Sequence, residues 1–236
     1  MAYQSCFQRF ELKYMLTRSQ KEALLQVMAP YMRLDQYGRT TIRNIYFDTP
    51  NYRLIRRSID RPLYKEKLRI RSYKQATAEG DVFVELKKKF KKVVYKRRLA
   101  MPLSDSLSWL AGDDSKKPAG QIAEEIRYFR NFYGELRPAI FLTYEREAFY
   151  SIDGSEFRVT FDENILARAT DMDLCSQVSG TALLPKGNIL LELKAPGAIP
   201  LWLTDFLTKN KIYKTSFSKY GTAYQTMLFK GGKLCV

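Results

Sequence analysis

The stretch LYKEKLRIRSYK, from Leu63 to Lys74, alternates between two kinds of side chain. Every second residue is a cation, in the order Lys65, Lys67, Arg69 and Arg71. Because successive side chains of an extended strand point to opposite faces, these four cations share one face, and the opposite face is mostly apolar. Like charges brought together in this way destabilise a sheet. The stretch therefore predicts a β-strand whose charged face lies against an anion.

The same alternation recurs along the chain and predicts eight strands. They are expected at residues 5–15, 40–49, 63–74, 81–89, 91–101, 138–150, 156–167 and 188–195. Helices are expected at residues 18–31, 51–58, 104–111, 119–133, 200–207 and 218–229, with loops at 111–120 and 168–187. This order of elements indicates an α+β protein or a barrel, with mostly antiparallel strands and helices packed outside. No domain boundary is evident, so residues 1–236 are interpreted as a single domain.

The charge balance indicates the kind of partner. The chain has 236 residues, with 40 Lys and Arg against 25 Asp and Glu, giving a net charge of +15. Most of this excess lies between residues 61 and 98, where apolar residues alternate with the cations. Such a pattern favours a folded site for a polyanion over a disordered basic arm.

Several classes of site and of location are disfavoured by composition. The chain has no His, which excludes His-based catalytic triads and zinc–His sites. Cys6, Cys175 and Cys235 match no metal or redox spacing, and a reducing compartment is expected. No apolar run approaches the roughly 20 residues of a membrane helix, and no signal peptide is visible. The expected location is the cytoplasm.

Two interpretations of the charged strand faces remain open from composition alone. In the first, an ordinary sheet turns its charged side to water. In the second, eight antiparallel strands close into a barrel whose charged face lines the inside and whose apolar face is covered by helices. Cations crowded inside a barrel repel one another unless a polyanion, or water with small ions, fills the space. A chain of phosphates would suit such a lumen.

Seven short motifs occur along the chain in one order: FELKY, RNIYFDTPNY, LRIRSY, VFVELKKK, YEREAF, LLELKAP and SFSKY. In this order the chain resembles the VTC domain, the catalytic domain of polyphosphate polymerases within the triphosphate tunnel (CYTH-like) superfamily. The resemblance covers about residues 7–225. It implies an eight-stranded tunnel open at both ends that binds ATP and polyphosphate. It also implies transfer of the γ-phosphate of ATP to a growing chain, with release of ADP and with a divalent metal, Mn²⁺ or Mg²⁺.

The resemblance also implies roles for particular residues. Those expected to act on the transferred phosphate are Arg69, Arg71, Lys87 and Arg146. Those expected to bind other phosphates are Lys13, Lys67, Lys96, Tyr144, Lys194, Ser218 and Lys219, with the last two at a mouth of the tunnel. Glu192 is the expected metal ligand.

Two departures from the family pattern stand out. The wider superfamily carries Glu-x-Glu-x-Lys on its first strand, and here Arg9 takes the first Glu position, leaving Glu11 and Lys13. The family also has a Lys two residues before the Ser-Lys pair, where this chain has Ser216, with Lys214 further back.

Three functions remain open. The first is polyphosphate polymerase, and the second is a triphosphatase of the same fold, which the missing first-strand Glu disfavours. The third is a non-catalytic module that binds polyphosphate or nucleic acid. Nucleic acid is not the expected main partner, because the cationic strands hold few aromatic residues for base stacking. The sequence shows neither membrane segments nor an SPX domain, so a separate membrane protein would have to carry any product across a bilayer. The oligomeric state is not predicted.

Overall fold

A computed structural model describes residues 6–7, 10–91 and 93–229. Its strands are β1 Cys6–Phe7, β2 Phe10–Leu16, β3 Met32–Leu34, β4 Thr40–Asp48, β5 Tyr64–Ser72, β6 Asp81–Phe90, β7 Val93–Pro102, β8 Arg137–Ser151, β9 Arg158–Arg168, β10 Thr181–Ala182 and β11 Ile189–Ala195. Its α-helices are α1 Arg18–Met28, α2 Arg53–Ile59, α3 Leu103–Ala111, α4 Gln121–Tyr133, α5 Leu201–Lys209 and α6 Lys219–Ala223. A 3₁₀ turn at Asp114–Lys116 and a π-helical turn at Tyr224–Leu228 complete the described elements.

The predicted α+β class is confirmed, and each predicted helix and strand has a counterpart. Three details differ. The first helix ends at Met28, and the chain then forms β3, which is too short to show an alternating pattern. The predicted loop 168–187 contains β10, which is only two residues long. The last predicted helix is split, because α6 passes into the π-helical turn at Tyr224.

The strands form one antiparallel sheet. Its hydrogen-bonded order is β1-β7-β6-β5-β4-β8-β9-β11-β2, with β10 beside β9 and β3 beside β8. The tight hairpin between β6 and β7 turns at Lys91, whose φ of 44° is the positive angle that short hairpin turns require. β1, paired with β7, is one end of this order, and β2, paired with β11, is the other. The N-terminal segment therefore forms both ends of the sheet.

The predicted closure into an eight-stranded barrel is corrected by the structure, because the hydrogen-bonded order does not run from β2 directly to β7. Residues 213–217 lie along the edge of β2 instead. Tyr14 forms a bridge with Lys214, and the Thr215 amide donates to the Lys13 carbonyl at 2.7 Å. Backbone groups at a sheet edge need such partners, and this segment satisfies them in place of a closing strand.

The sheet is nevertheless strongly curled. The Lys87 ammonium on β6 donates to the Glu11 carboxylate on β2 at 2.9 Å, although these strands lie far apart in the sheet order. This contact requires both strands to face each other across an enclosed space. The face that carries Glu11 and Lys87 is called the concave face below.

Helices cover the convex face through two apolar clusters. α3 and α4 bury Trp109 and Phe129 against β5, β6 and the neighbouring strands. α1 and α5 bury Leu24 and Leu203 against β2, β9 and β11. Their burial supplies the main driving force for holding the sheet in its curved shape. Within the described part of the chain, no helix is both long and apolar enough to cross a membrane.

A third apolar cluster lies at one end of the concave face. It brings Tyr46, Ile140 and Leu142 from the sheet against Ile55 of α2 and Tyr220 of α6. The rings of Tyr46 and Tyr220 stack with centroids 4.7 Å apart. α2 and α6 therefore fill this end of the concave face with apolar side chains.

A buried carboxylate ties these two helices together. Asp48, fully buried at the end of β4, accepts hydrogen bonds from the backbone amides of Leu54 and Ile55 at the start of α2. It also accepts a hydrogen bond from the Tyr220 hydroxyl of α6 at 2.8 Å. A carboxylate is favoured beside the free amides of a helix N-terminus. Asp48 thus fixes Tyr220, and with it the neighbouring Lys219, relative to the sheet.

Candidate functional site

The cation ladder of β5 faces the concave side, as its alternation predicted. Leu68 and Ile70, on the opposite side of the strand, are fully buried in the convex-face core. Across the ladder, Arg69 lies opposite Glu85 of β6. The charged face is thus not turned to open water, and the first interpretation of the sequence does not describe it.

The first charge cluster of the concave face surrounds Glu85, whose side chain is 1% exposed. Arg69 donates to one carboxylate oxygen through Nε at 2.8 Å and Nη2 at 2.6 Å. Arg98 donates to the other oxygen at 2.8 Å, and Lys96 lies 2.7 Å from it. Burial raises the pKa of Glu85, but Arg69, Arg71 and the other cations outweigh it and hold that pKa well below the usual value.

The second cluster surrounds Asp162 of β9 and Glu192 of β11. Arg146 donates to both oxygens of Asp162, at 2.5 and 2.6 Å, and to Glu192 at 3.0 Å. Lys219 lies 2.5 Å from Asp162 and 2.9 Å from Glu192, and Lys13 lies 3.2 Å from Glu192. Although burial raises the pKa of Glu192, Lys13, Lys219 and Arg146 hold it well below the usual value. Lys219 is therefore buried on the concave face.

Two lysines of the concave face lack such compensation. Among the described residues, no carboxylate lies within ion-pair distance of the ammonium groups of Lys67 and Lys194. Lys67 donates to the Ser218 hydroxyl at 3.2 Å. Burial, followed by repulsion from Lys13 and Lys87, lowers the pKa of Lys67 to about 7. Burial and repulsion from Arg146 lower the pKa of Lys194 to about 8.

The pKa of Lys96 is also lowered, although a carboxylate lies next to its ammonium group. Burial lowers the pKa of Lys96 to about 7, and the nearby Arg98 and Arg69 act in the same direction against Glu85. At the far end of the ladder, burial and repulsion from Lys89 lower the pKa of Lys65. Burial is the larger cause of each lowered lysine pKa, and repulsion from neighbouring cations adds to it.

Tyr144 and Ser218 connect the clusters. The Tyr144 hydroxyl accepts from Arg71 Nη2 at 3.0 Å, while its ring lies below Arg146 and Lys219, at 5.1 and 4.6 Å from the ring centroid. Ser218 caps α6 by accepting from the Gly221 amide at 3.2 Å. These contacts bring every residue of the sequence-derived site onto one concave surface.

The departures from the family pattern can be placed in part. Arg9 lies outside the described residues. Ser216 and Lys214 are exposed, and Lys214 belongs to the segment that lies along β2. Lys13 also donates to the Phe217 carbonyl at 3.0 Å, so the first-strand lysine is fixed by the same segment.

A divalent metal would not find a ready-made cage in the described part of this site. Among the described residues, no group of three or more Asp, Glu, Cys or His side chains is placed to hold an ion. Both oxygens of Glu192 are already engaged by Lys13, Lys219 and Arg146. Glu192 therefore fits only an ion that brings most of its oxygen ligands as phosphates, which is how Mg²⁺ is commonly held.

Comparison with known protein families identifies the chain. The family model of the VTC domain matches residues 8–228. The chain belongs to the VTC domain family. Members of this family bind triphosphate or polyphosphate, transfer phosphoryl groups and generally use divalent metal ions. No protein of curated function matches this VTC domain.

Two solved structures align with this chain, and the one with the higher TM-score shares its fold. A protein from Bacillus halodurans, described provisionally as an adenylate cyclase, aligns with a TM-score of 0.58 at 14% identity, covering 96% of this VTC domain and 100% of that chain. A similarly described protein from Vibrio parahaemolyticus aligns with a TM-score of 0.49 at 11% identity, covering 92% and 98% of the two chains. At such identities the likeness concerns the fold alone.

Sequence reasoning missed three members of the VTC site. Glu85 and Asp162 were not singled out from the sequence, yet each lies at the centre of a charge cluster. Arg98 was not singled out, although it binds Glu85 as Arg69 does. The alternation of β6, β7 and β9 could have found these three residues. On its own strand, each shares a face with a residue that was singled out or with another charged residue.

Proposed function

We propose that this VTC domain, taken as one unit over residues 1–236, is a polyphosphate polymerase. It transfers the γ-phosphate of ATP to a growing polyphosphate chain and releases ADP. The observation that carries the proposal is the uncompensated charge of the concave face, above all the half-buried lysines Lys67 and Lys194, which have no carboxylate partner among the described residues. Buried cations without anionic partners are costly, and a phosphate chain supplies the missing negative charge.

The shape of the site supports a linear polyanion over nucleic acid. The cations lie inside a curled sheet and not on an open surface, because Lys87 and Glu11 meet across the concave face. A nucleic-acid duplex requires an exposed basic surface, whereas a phosphate chain is thin enough to enter the space that the curled sheet encloses. ATP and polyphosphate are therefore the proposed small-molecule partners, with the curled sheet acting as the triphosphate tunnel.

Binding would redistribute the ion pairs of the site. In the free protein, four cations each bind a side chain of the concave face: Arg69 binds Glu85, Arg71 binds Asn44, Lys87 binds Glu11 and Arg146 binds Asp162. In the complex these four side chains also donate to the phosphates on either side of the bond that breaks. Further phosphates would contact the remaining members, namely Lys13, Lys67, Lys96, Tyr144, Lys194, Ser218 and Lys219.

The reaction needs charge stabilisation more than proton transfer. An oxygen of the acceptor's terminal phosphate attacks the γ-phosphorus, and the bond from that phosphorus to the β–γ bridging oxygen breaks. The electron pair leaves with ADP. The acceptor oxygen is already ionised, so no general base is required, which suits a chain without His. Guanidinium and ammonium groups fixed in a buried site stabilise the charge that develops on the transferred group.

The metal, Mn²⁺ or Mg²⁺, is proposed to arrive with the nucleotide and to contact Glu192. When bound it would neutralise phosphate charge as a Lewis acid. The role of Lys13, Lys219 and Arg146 is then to release Glu192 as they turn to the phosphates. Use of ATP places the proposed reaction in the cytoplasm, and a membrane protein would be needed to move the product elsewhere.

The test is to incubate the purified protein with ATP and Mn²⁺ and to resolve the products by gel electrophoresis and ³¹P NMR. Long polyphosphate with ADP is expected. Orthophosphate with ADP and no polymer would instead indicate a triphosphatase. Tight triphosphate binding without turnover would indicate a binding module.

Variants connect the activity to the site. Arg69→Ala and Glu192→Ala should each reduce turnover at least tenfold while circular dichroism shows an intact fold. Arg127→Ala is the control, because Arg127 is an exposed arginine of α4 that pairs with Glu124. Near-normal rates in both site variants would contradict the assignment.

A further inference from the structure

An aromatic pair lies at one end of the concave face. Tyr73, just after β5, and Phe83, on β6, contact each other edge to face with ring centroids 5.6 Å apart. Tyr73 remains 39% exposed although it stands beside the charge cluster around Glu85. An exposed aromatic ring at the rim of a charged cavity offers a flat apolar surface to an entering ligand.

Two guanidinium groups of the phosphate site border this pair. The Arg98 guanidinium carbon lies 4.5 Å from the Phe83 centroid and 5.5 Å from the Tyr73 centroid. The corresponding atom of Arg71 lies 5.9 Å from the Tyr73 centroid. The Tyr73 hydroxyl also accepts from Arg98 Nη2 at 2.5 Å. A ligand on the rings would therefore have cations within reach of a group attached to it, as a nucleotide carries its phosphates on the sugar that bears the base.

The opposite end of the β5–β6 pair has different chemistry. There Lys65 lies opposite Lys89, and both are on the concave side. The nearby rings of Tyr64 and Phe90 belong to the other strand face by alternation and pack against each other. One end of this surface thus combines aromatic rings with arginines, while the other has lysines, of which Lys65 donates to the Ser58 carbonyl of α2 at 3.1 Å.

We propose that the exposed ring of Tyr73, supported edge to face by Phe83, forms the platform on which the nucleobase of the donor stacks. The phosphates of the donor then run from Arg71 and Arg98 toward the lysines, and the growing polymer, which has no base, occupies the end with Lys65. This inference rests on the proposed use of a nucleoside triphosphate. Because every base has a stacking face, the platform discriminates poorly between bases, and ATP and GTP should bind with similar affinity.

The test measures binding and not turnover. Calorimetry compares ATP with inorganic tripolyphosphate, which has no base, for the wild type and for Tyr73→Ala. Removing the ring should weaken ATP binding at least fivefold, the lower range for loss of one stacked base, and leave tripolyphosphate binding unchanged. Tyr73→Phe keeps the ring and loses only the hydroxyl, so it should retain the wild-type affinity for ATP.

Tyr128→Ala is the matched control, because Tyr128 is a 70% exposed tyrosine on α4, outside the concave face. It should change neither affinity. Equal losses for ATP and tripolyphosphate in Tyr73→Ala would show that the residue only supports Arg98, and would overturn the platform. Unchanged ATP binding would overturn it as well.

Failure of the platform and failure of the proposed function give different results. If the wild type makes polymer from ATP but Tyr73→Ala binds ATP normally, the platform alone is wrong. If the wild type binds tripolyphosphate but not ATP, both the nucleotide donor and the platform are wrong.

Discussion

Binding of long-chain polyphosphate at pH 8 should draw about two protons into the concave face. The free protein holds Lys67 and Lys96 with pKa values of about 7 and Lys194 with one of about 8. At pH 8 the first two are each about one-tenth protonated and the third about half protonated. A polyanion beside them favours the ammonium form, so binding completes their protonation. At pH 6 all three are already charged, and uptake should fall to about a fifth of a proton.

The same lysines make the stability of the free protein depend on pH. Their pKa is lower in the folded chain than in the unfolded chain, where it is 10.5. Below about pH 7 both states are protonated, and the repulsion is fully present. Between about pH 7 and pH 10.5 the unfolded state binds more protons, so these three groups favour folding increasingly as pH rises. Polyphosphate affinity should change in the opposite direction over this range.

Titration calorimetry in two buffers of different ionisation enthalpy measures the proton uptake directly. Long-chain polyphosphate is the appropriate ligand, because its internal phosphates remain ionised at both pH values. Lys67→Met should lower the uptake at pH 8 by about 0.9 proton, the share of one lysine with a pKa of about 7. Lys88→Met is the matched control on β6, since Lys88 alternates with Lys87 and lies on the convex side.

Enthalpies that do not depend on the buffer at pH 8 would refute this reasoning. They would mean that the lysines are already protonated in the free protein. The buried cations would then be neutralised by some other means, and the central support for the proposed function would be lost.

Two further predictions concern buried charges. Glu85→Gln removes the carboxylate that holds Arg69 and Arg98, so thermal unfolding should show that the free energy of unfolding falls by about 3–5 kcal/mol. Added polyphosphate should stabilise this variant more than the wild type, and equal stabilisation would contradict the prediction. On the convex face, Arg43 is 6% exposed, and its Nε has no hydrogen-bond partner within the described part of the chain. The Arg168 guanidinium, by contrast, donates to the carbonyls of three loop residues. Arg43→Met should therefore stabilise the protein by about 1–3 kcal/mol in denaturant unfolding, while Arg168→Met should destabilise it by about 2 kcal/mol or more; the same sign for both variants would refute the argument.

The sequence predicted the strands and their charged faces because alternation depends only on neighbouring residues. It could thus place Arg69 and Arg71 on one face of β5 without a structure. It could not predict that Glu85 would bind both Arg69 and Arg98, because this depends on the register between three strands. The burial of Lys219 likewise depends on Asp48 and Tyr220, which fix α6 from a distant part of the chain.

Barrel closure failed as a prediction for a related reason. Alternation shows that a strand has two faces but not which chain segment meets its edge. Residues 213–217 carry no alternating pattern, yet they pair with the edge of β2. The short strands β3 and β10 were missed because two or three residues are too few to show a period.

The carboxylates of the concave face have a consequence for the way affinity responds to salt. Basic surfaces that bind polyanions usually gain much of their affinity by releasing condensed ions into solution, so they lose it as salt is added. Here Glu11, Glu85, Asp162 and Glu192, which belong to the same chain, already pair with several of the cations. An incoming phosphate displaces side chains that stay at the site instead of dissolved ions that gain entropy on leaving. The logarithm of the binding constant should therefore fall less steeply with the logarithm of salt concentration than the number of cations that contact the polymer would suggest. The protein would then retain its polymer at ionic strengths that release polyanions from an open basic surface.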